Sequence, residues 1–213
     1  YSCGTNGNRY PEPQLDEGSR SLCQGAGVGL VQGRQSTLRG SGGLGMLVDR
    51  GGNDTYRVDV MGQGLGLDEG MGFLSDLEGD DRYDARWYAG GVGVHGGHGL
   101  LRDHEGNDEY VMALRASLGT GHDGGLGALF DGEGDDTYVV PSLGGGAGSC
   151  SGVGFFHEGA GNDTYTVESE LTLGAVAGCE AEVGTFGLMM DVSGGDVYSG
   201  GRGDNNDDWH QGN

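Results

Sequence analysis

Proline, positive charge and long apolar runs are all scarce in this chain. Three prolines, with no Gly-X-Y period, exclude a collagen triple helix although 51 of the 213 residues are glycine. Eleven Lys and Arg stand against 33 Asp and Glu, a formal net charge of −22. That balance argues against nucleic acid or an anionic membrane surface as a partner, and fits cation binding or plain solubility. No apolar run approaches the ~20 residues of a membrane-spanning helix, so no membrane insertion is expected. No two cysteines have C-x-x-C spacing, which removes the usual zinc and redox motifs. The four present, Cys3, Cys23, Cys150 and Cys179, are even in number and suit two disulfides in an oxidising compartment. An extracellular, cell-surface or periplasmic location is therefore expected. The chain begins at Tyr1 without an initiator Met or a signal peptide, as a mature or excised chain would.

Hydrophobic residues make up 34% of the chain. With so much charge, that composition alone points to disorder. A repeat points the other way. The stretches DRGGNDTYRV, DLEGDDRYDA, DHEGNDEYVM, DGEGDDTYVV, EGAGNDTYTV and DVSGGDVYSG begin at residues 49, 76, 103, 131, 158 and 191. Counting the first acidic residue as position 0, position +5 is Asp54, Asp81, Asp108, Asp136, Asp163 and Asp196, at steps of 27, 27, 28, 27 and 33. Position 0 is Asp49, Asp76, Asp103, Asp131, Glu158 and Asp191. Position +7 is always Tyr, position −4 always Gly, and position −2 is Leu, Phe or Met. A fixed period of this length marks a repeat architecture.

Each unit holds two short alternating segments, such as GMGFLSD and TYRVDV, and a Gly-rich third such as GQGLGL. Alternation is the strand signal, and no helical apolar stripe is visible. The expectation is an all-β fold, a parallel β-solenoid of about six coils of about 27 residues, spanning 24–200. The first coil carries an insertion around RQSTLRGSGG; residues 1–23 read as an N-terminal cap and 201–213 as a tail. Stacked coils turn each sequence column into a ladder at about 4.8 Å spacing. The Tyr and −2 ladders are expected to point inward, with the −4 glycines leaving room for the rings. Both solenoid ends expose strand edges and are candidate surfaces for self-association or a protein partner.

Two stacked columns of carboxylates repel unless protons, hydrogen bonds or a cation intervene. Carboxylate oxygens and turn carbonyls form a hard ligand set suited to Ca²⁺. All twelve residues at positions 0 and +5 are therefore candidate ligands. The alternative is a metal-free ladder in which each aspartate bonds to backbone amides of the neighbouring coil. EGAGNDTYTV resembles the calcium-binding nonapeptide G-G-x-G-x-D-x-U-x of the repeats-in-toxin family, with Gly161, Asp163 and Tyr165 at the third Gly, the Asp and the large apolar position. The resemblance covers about nine residues per coil. It implies a parallel β-roll, Ca²⁺ between successive turns, and secretion. The motifs here are not in tandem, and the first Gly is often Glu, as in Glu78, Glu105 and Glu133.

Cys150 and Cys179 fall at nearly equivalent places in adjacent coils and are expected to pair, leaving Cys3 and Cys23 to staple the cap. Position −8 reads Asp68, His95, Asp123 and Cys150, with His98 and His122 nearby. That polar cluster could hold a transition metal or do acid–base chemistry, or simply line an exposed bend. No G-x-S-x-G or H-E-x-x-H motif accompanies it. Thr55, Thr137 and Thr164 share a column that Arg82, Glu109 and Val197 interrupt, so no flat threonine array for ice binding is expected. The RGD at 202–204 is of the length chance supplies in an Asp- and Gly-rich tail. Function is read as a secreted, non-enzymatic, calcium-binding structural, adhesion or assembly module. Two other readings stay open: a polymer-forming or complex-associated subunit using its coil ends, and a carbohydrate-binding or polysaccharide-processing β-helix using Trp87 and Tyr88.

Overall fold

The computed structural model describes residues 23–29, 42–169, 171–179 and 184–200, with the backbone of 209–210. Cys3 and most of the expected cap and tail lie outside the described residues. The described chain is all strand, turn and bend. No helix among the described residues is long and apolar enough to cross a membrane.

Three parallel sheets run the length of a β-solenoid. The first stacks two-residue strands: β1 (Gly27–Val28), β4 (Gly66–Leu67), β7 (Gly93–Val94), β10 (Gly121–His122), β13 (Gly148–Ser149) and β16 (Val176–Ala177). The second stacks β2 (Leu44–Val48), β5 (Met71–Ser75), β8 (His98–Arg102), β11 (Leu126–Phe130), β14 (Val153–Glu158) and β17 (Phe186–Asp191). The third stacks β3 (Thr55–Val60), β6 (Arg82–Trp87), β9 (Glu109–Met112), β12 (Thr137–Val140), β15 (Thr164–Val167) and β18 (Val197–Gly200). A last strand, β19 (Trp209–His210), turns back antiparallel onto β18 and covers that edge.

The register follows the sequence period. Gly72 pairs with Gly99 and Tyr83 with Tyr110, column on column. The expected insertion shows as a long first step: Gly27 pairs with Gly66, while Gly66 pairs with Gly93. Tyr56, Tyr83, Tyr110, Tyr138 and Tyr165 point inward and are fully buried. Their rings stack with centroids 4.7 to 4.9 Å apart and planes within 12°. Tyr198 extends the stack at 4.5 Å. Each such contact contributes about 0.5–1.5 kcal/mol beyond its buried area. Leu74, Leu101, Leu129 and Phe156 pack against the rings from the second sheet.

The −4 glycines also point inward, but they do not make room for the tyrosines. A Cβ on Gly72 would lie 2.0 Å from the carbonyl oxygen of Leu65, and one on Gly99 would lie 2.0 Å from that of Val92. The first and second sheets thus press backbone against backbone, and glycine is needed because any side chain would strike a carbonyl. A tight turn permits this approach. Asp68 and Glu69 both have positive φ (51° and 62°), and the Gly70 N–H donates to Leu67 O at 2.9 Å. Two left-handed central residues are the type I′ arrangement, which doubles the chain sharply back. The side-chain core gathers on the opposite side, against the third sheet.

Candidate metal centre

Each coil leaves the second sheet at position 0, makes a Gly-containing bend, and enters the third sheet just after position +5. The bend brings the two carboxylates of one coil together and stacks them on those of the next. Asp76, Asp81, Asp103, Asp108, Asp131, Asp136, Glu158, Asp163 and Asp196 are all buried. Asp49, Asp54 and Asp191, in the end coils, are half-buried.

At position 0, Asp76, Asp103 and Asp131 have partners for both oxygens. One oxygen of Asp76 accepts from the Tyr56 hydroxyl of the preceding coil, and the other from its own turn, Leu77 N–H at 2.7 Å. Asp103 repeats this with Tyr83 at 2.5 Å and His104 N–H at 2.7 Å. Asp131 accepts from two tyrosines, Tyr110 at 2.6 Å and Tyr138 at 2.7 Å. The partners expected for buried tyrosine hydroxyls are thus the position 0 carboxylates.

The +5 carboxylates are served on one side only. The N–H of Asp54 donates to Oδ1 of Asp81 at 2.7 Å, that of Asp81 to Asp108 at 2.7 Å, that of Asp108 to Asp136 at 2.6 Å, and that of Asp136 to Asp163 at 2.8 Å. This is the amide ladder expected as the alternative to metal, and it uses half of each carboxylate. Oδ2 of Asp81, Asp108, Asp136, Asp163 and Asp196 is buried without a hydrogen-bond partner, as are both oxygens of Glu158. Asp81, Asp108, Asp136, Glu158 and Asp163 are also the residues that cluster with further carboxylates. Asp81, Asp103 and Asp108 offer oxygens within 4.8 Å of one another, as do Asp108, Asp131 and Asp136, then Asp136, Glu158 and Asp163, and at the N-terminal end Asp49, Asp54 and Asp76.

Burial of unneutralised charge moves the titration of these groups. Burial, reinforced by the charge of Asp103, pushes Asp108 up to about 10. Burial and Asp131 take Asp136 to about 8, and burial with Asp163 takes Glu158 to about 10. Asp81 rises to about 8, Asp103 to about 7 and Asp163 to about 6, burial leading in each case. At neutral pH the columns therefore hold protons or take a cation.

One residue earlier, at +4, the turn residues Asn53, Asp80, Asn107, Asp135 and Asn162 form a ladder of their own. Asn107 donates both its backbone N–H (3.0 Å) and its side-chain amide (3.1 Å) to Asp80, and Asn162 does the same to Asp135 at 2.8 and 2.9 Å. The strict alternation of Asn and Asp was its signal. These donors hold Asp80 and Asp135 below the usual carboxylate range.

The −8 cluster forms a chain of contacts rather than a chelate. His95 Nδ1 meets Asp68 at 3.0 Å and its Nε2 meets Asp123 at 3.4 Å. Asp123 meets His122 Nε2 at 3.5 Å, and His122 Nδ1 meets Ser149 Oγ at 2.6 Å. His95 thus turns a different nitrogen to each carboxylate. His98 stands apart on the outer face of β8. Burial holds His122 below its ordinary value. Cys150 is bonded to Cys179, with Cα atoms 5.0 Å apart, so it offers no thiolate there. Cys23 is also in a disulfide. Trp87, expected as a sugar platform, is buried in the core and stacked on Tyr88 at 4.4 Å. Its indole face is not open to a sugar ring.

No protein family, curated protein or solved structure matches the chain.

Proposed function

We propose that this chain is a secreted, non-enzymatic β-solenoid whose stacked carboxylates hold Ca²⁺, and that the filled array makes it a rigid structural or assembly module. The observation that carries the reading is the row of buried, unpartnered carboxylate oxygens at +5, on residues of which Asp81, Asp108, Asp136 and Asp163 cluster with further carboxylates. The charge balance supports a divalent ion: a coil contributes two carboxylates, which one divalent cation neutralises and one shared proton does not. The donor set is oxygen only, which suits a hard cation of flexible coordination better than zinc or copper. Asp108 and Asp136 each belong to two clusters, so neighbouring ions would share ligands. The resemblance of EGAGNDTYTV to the repeats-in-toxin nonapeptide supports the choice of cation and the extracellular setting, as does the disulfide between Cys150 and Cys179.

Thermal melting of the full chain at pH 8, in millimolar Ca²⁺ and in chelator, tests this. A site filled at a hundred times its Kd adds about 2.7 kcal/mol. At ~2–4 °C per kcal/mol for a chain of this size, one site raises Tm by at least about 5 °C, and several sites by more. Mg²⁺, which demands a tighter octahedral shell, is expected to do less. Coincident melting curves in Ca²⁺ and chelator would overturn the reading and leave protons as the neutralising species.

A further inference from the structure

The outer face of the second sheet is largely apolar, with an apolar column at its centre. Its central column reads Met46, Phe73, Leu100, Ala128, Phe155 and Leu188, all in register. Eight of the twelve exposed large apolar side chains among the described residues lie on this face, from Leu188 at 37% exposed to Leu44 at 70%. At on the order of 200 Å² per large side chain, those eight present roughly 800 Å² to water. The largest apolar patch of an ordinary monomer is about 300–600 Å². The small Ala128 leaves an apolar depression of about 490 Å³ between Phe73, Leu100, Phe130 and Phe155. The polar side chains on the face are Ser75, His98, Arg102 and His157, and none is a carboxylate.

We propose that this face is the interface of a homodimer, in which two copies pack sheet on sheet. The area matches the ~800 Å² that each partner contributes to a standard stable interface. Charge selects the same mode. In a molecule of net charge −22, most approaches of two copies oppose carboxylates. This face carries none, and its acidic ladders lie around the bend beyond position 0. Flat sheets pack about 10 Å apart with interdigitating side chains, and the depression at Ala128 can receive a Phe or Met from the other copy. The inference is independent of calcium.

Size-exclusion chromatography with light scattering of the full chain reads the outcome. The expected mass is twice the 21.9 kDa of one chain. Leu100→Glu combined with Phe155→Glu, and separately Leu100→Arg with Phe155→Arg, should each weaken dimerisation at least 100-fold and give a monomer with an unchanged far-UV spectrum. Should these fail to fold, Met46→Ser, at a side chain 62% exposed, should weaken it about tenfold or more. Arg57→Glu, on the outer face of the third sheet, should remain dimeric. A wild-type chain that stays monomeric at tens of micromolar overturns the proposal, whether the face is bare or covered by another segment of the chain. A dimer that survives the folded face variants overturns it too, and places the contact elsewhere, such as the coil ends.

Discussion

At position +4 of the coils, aspartates alternate with asparagines and face water; at +5, one residue later, every coil has aspartate and all but the half-buried Asp54 are buried. Both columns use a carboxylate to accept from the backbone of a neighbouring coil, as Asn107 N–H donates to Asp80 and Asp81 N–H to Asp108. At +4 an amide from the next coil completes the set and water screens the rest, so like charges recur only every second coil. At +5 the second oxygen has neither. A ladder of stacked carboxylates is stable when diluted with Asn, as at +4; an undiluted one, as at +5, requires protons or a cation to neutralise it. The undiluted column needs an explanation beyond hydrogen bonding.

The comparison is sharpest in its pH dependence, where the two columns have opposite signs. At +5, Asp81, Asp108, Asp136 and Asp163 hold protons to between about 6 and about 10, and so do Asp103 and Glu158 facing them at position 0. The unfolded chain releases them near pH 4. Between these limits the folded state binds more protons, so stability is full below about pH 4 and falls as pH rises through the folded values. Asp80 and Asp135, held low, contribute in the reverse sense, lost as pH falls, and weakly because they are exposed. In chelator, Tm is therefore expected to fall on the order of 10 °C or more from pH 5 to pH 9, since several kcal/mol are at stake. Ca²⁺ should flatten that slope. A metal-free chain more stable at pH 9 than at pH 5 would break the contrast.

Single substitutions come next in size. Asp136→Ala strips the acceptor from the buried N–H of Asp108 and should cost about 2–4 kcal/mol in chemical denaturation. Asp135→Ala leaves the Asn162 N–H to water and should cost less than about 1 kcal/mol. Equal losses would mean that burial does not distinguish the columns. The smallest effect carries the most information. Asp108→Asn keeps the acceptor and removes the proton uptake that folding demands of Asp108, so in chelator at pH 8 it should stabilise by about 1 kcal/mol or more. In saturating Ca²⁺ the same change should destabilise, and a common sign in both conditions would sever the link between charge and cation.

The period, the three strands per coil and the inward tyrosines were legible because each is a column fixed by parity and step. The carboxylate columns were equally legible, together with the fact that they need a neutralising partner. What escaped the sequence was the pairing of columns across the coil. Parity placed Gly99 inward, but only the fold places the Val92 carbonyl against it. Nothing local says that a tyrosine hydroxyl reaches position 0 of the next coil, because that contact joins residues 20 apart, Tyr83 and Asp103. The −8 column leaves chemistry and an exposed bend both open in the sequence, because His and Asp suit either. Its left-handed backbone, with φ 51° at both Asp68 and His95, shows what the turn asks of those positions. The apolar outer face was written in the odd and even positions of the second strand, where both faces are apolar and alternation is hard to see.

The in-register step of 27 residues makes copy number a free variable of this architecture. Residues 71–97 are one complete period, since Met71 pairs with His98 in the ladder above it. Their removal would join Gly70 to His98 just as Gly97 joins it now, bringing Gly, Tyr and Asp columns back onto themselves. The molecule would shorten by one strand spacing, about 4.8 Å, and lose the carboxylates of Asp76, Asp80 and Asp81 and the ring of Tyr83 from its ladders. Length and charge therefore change together, in units of one coil.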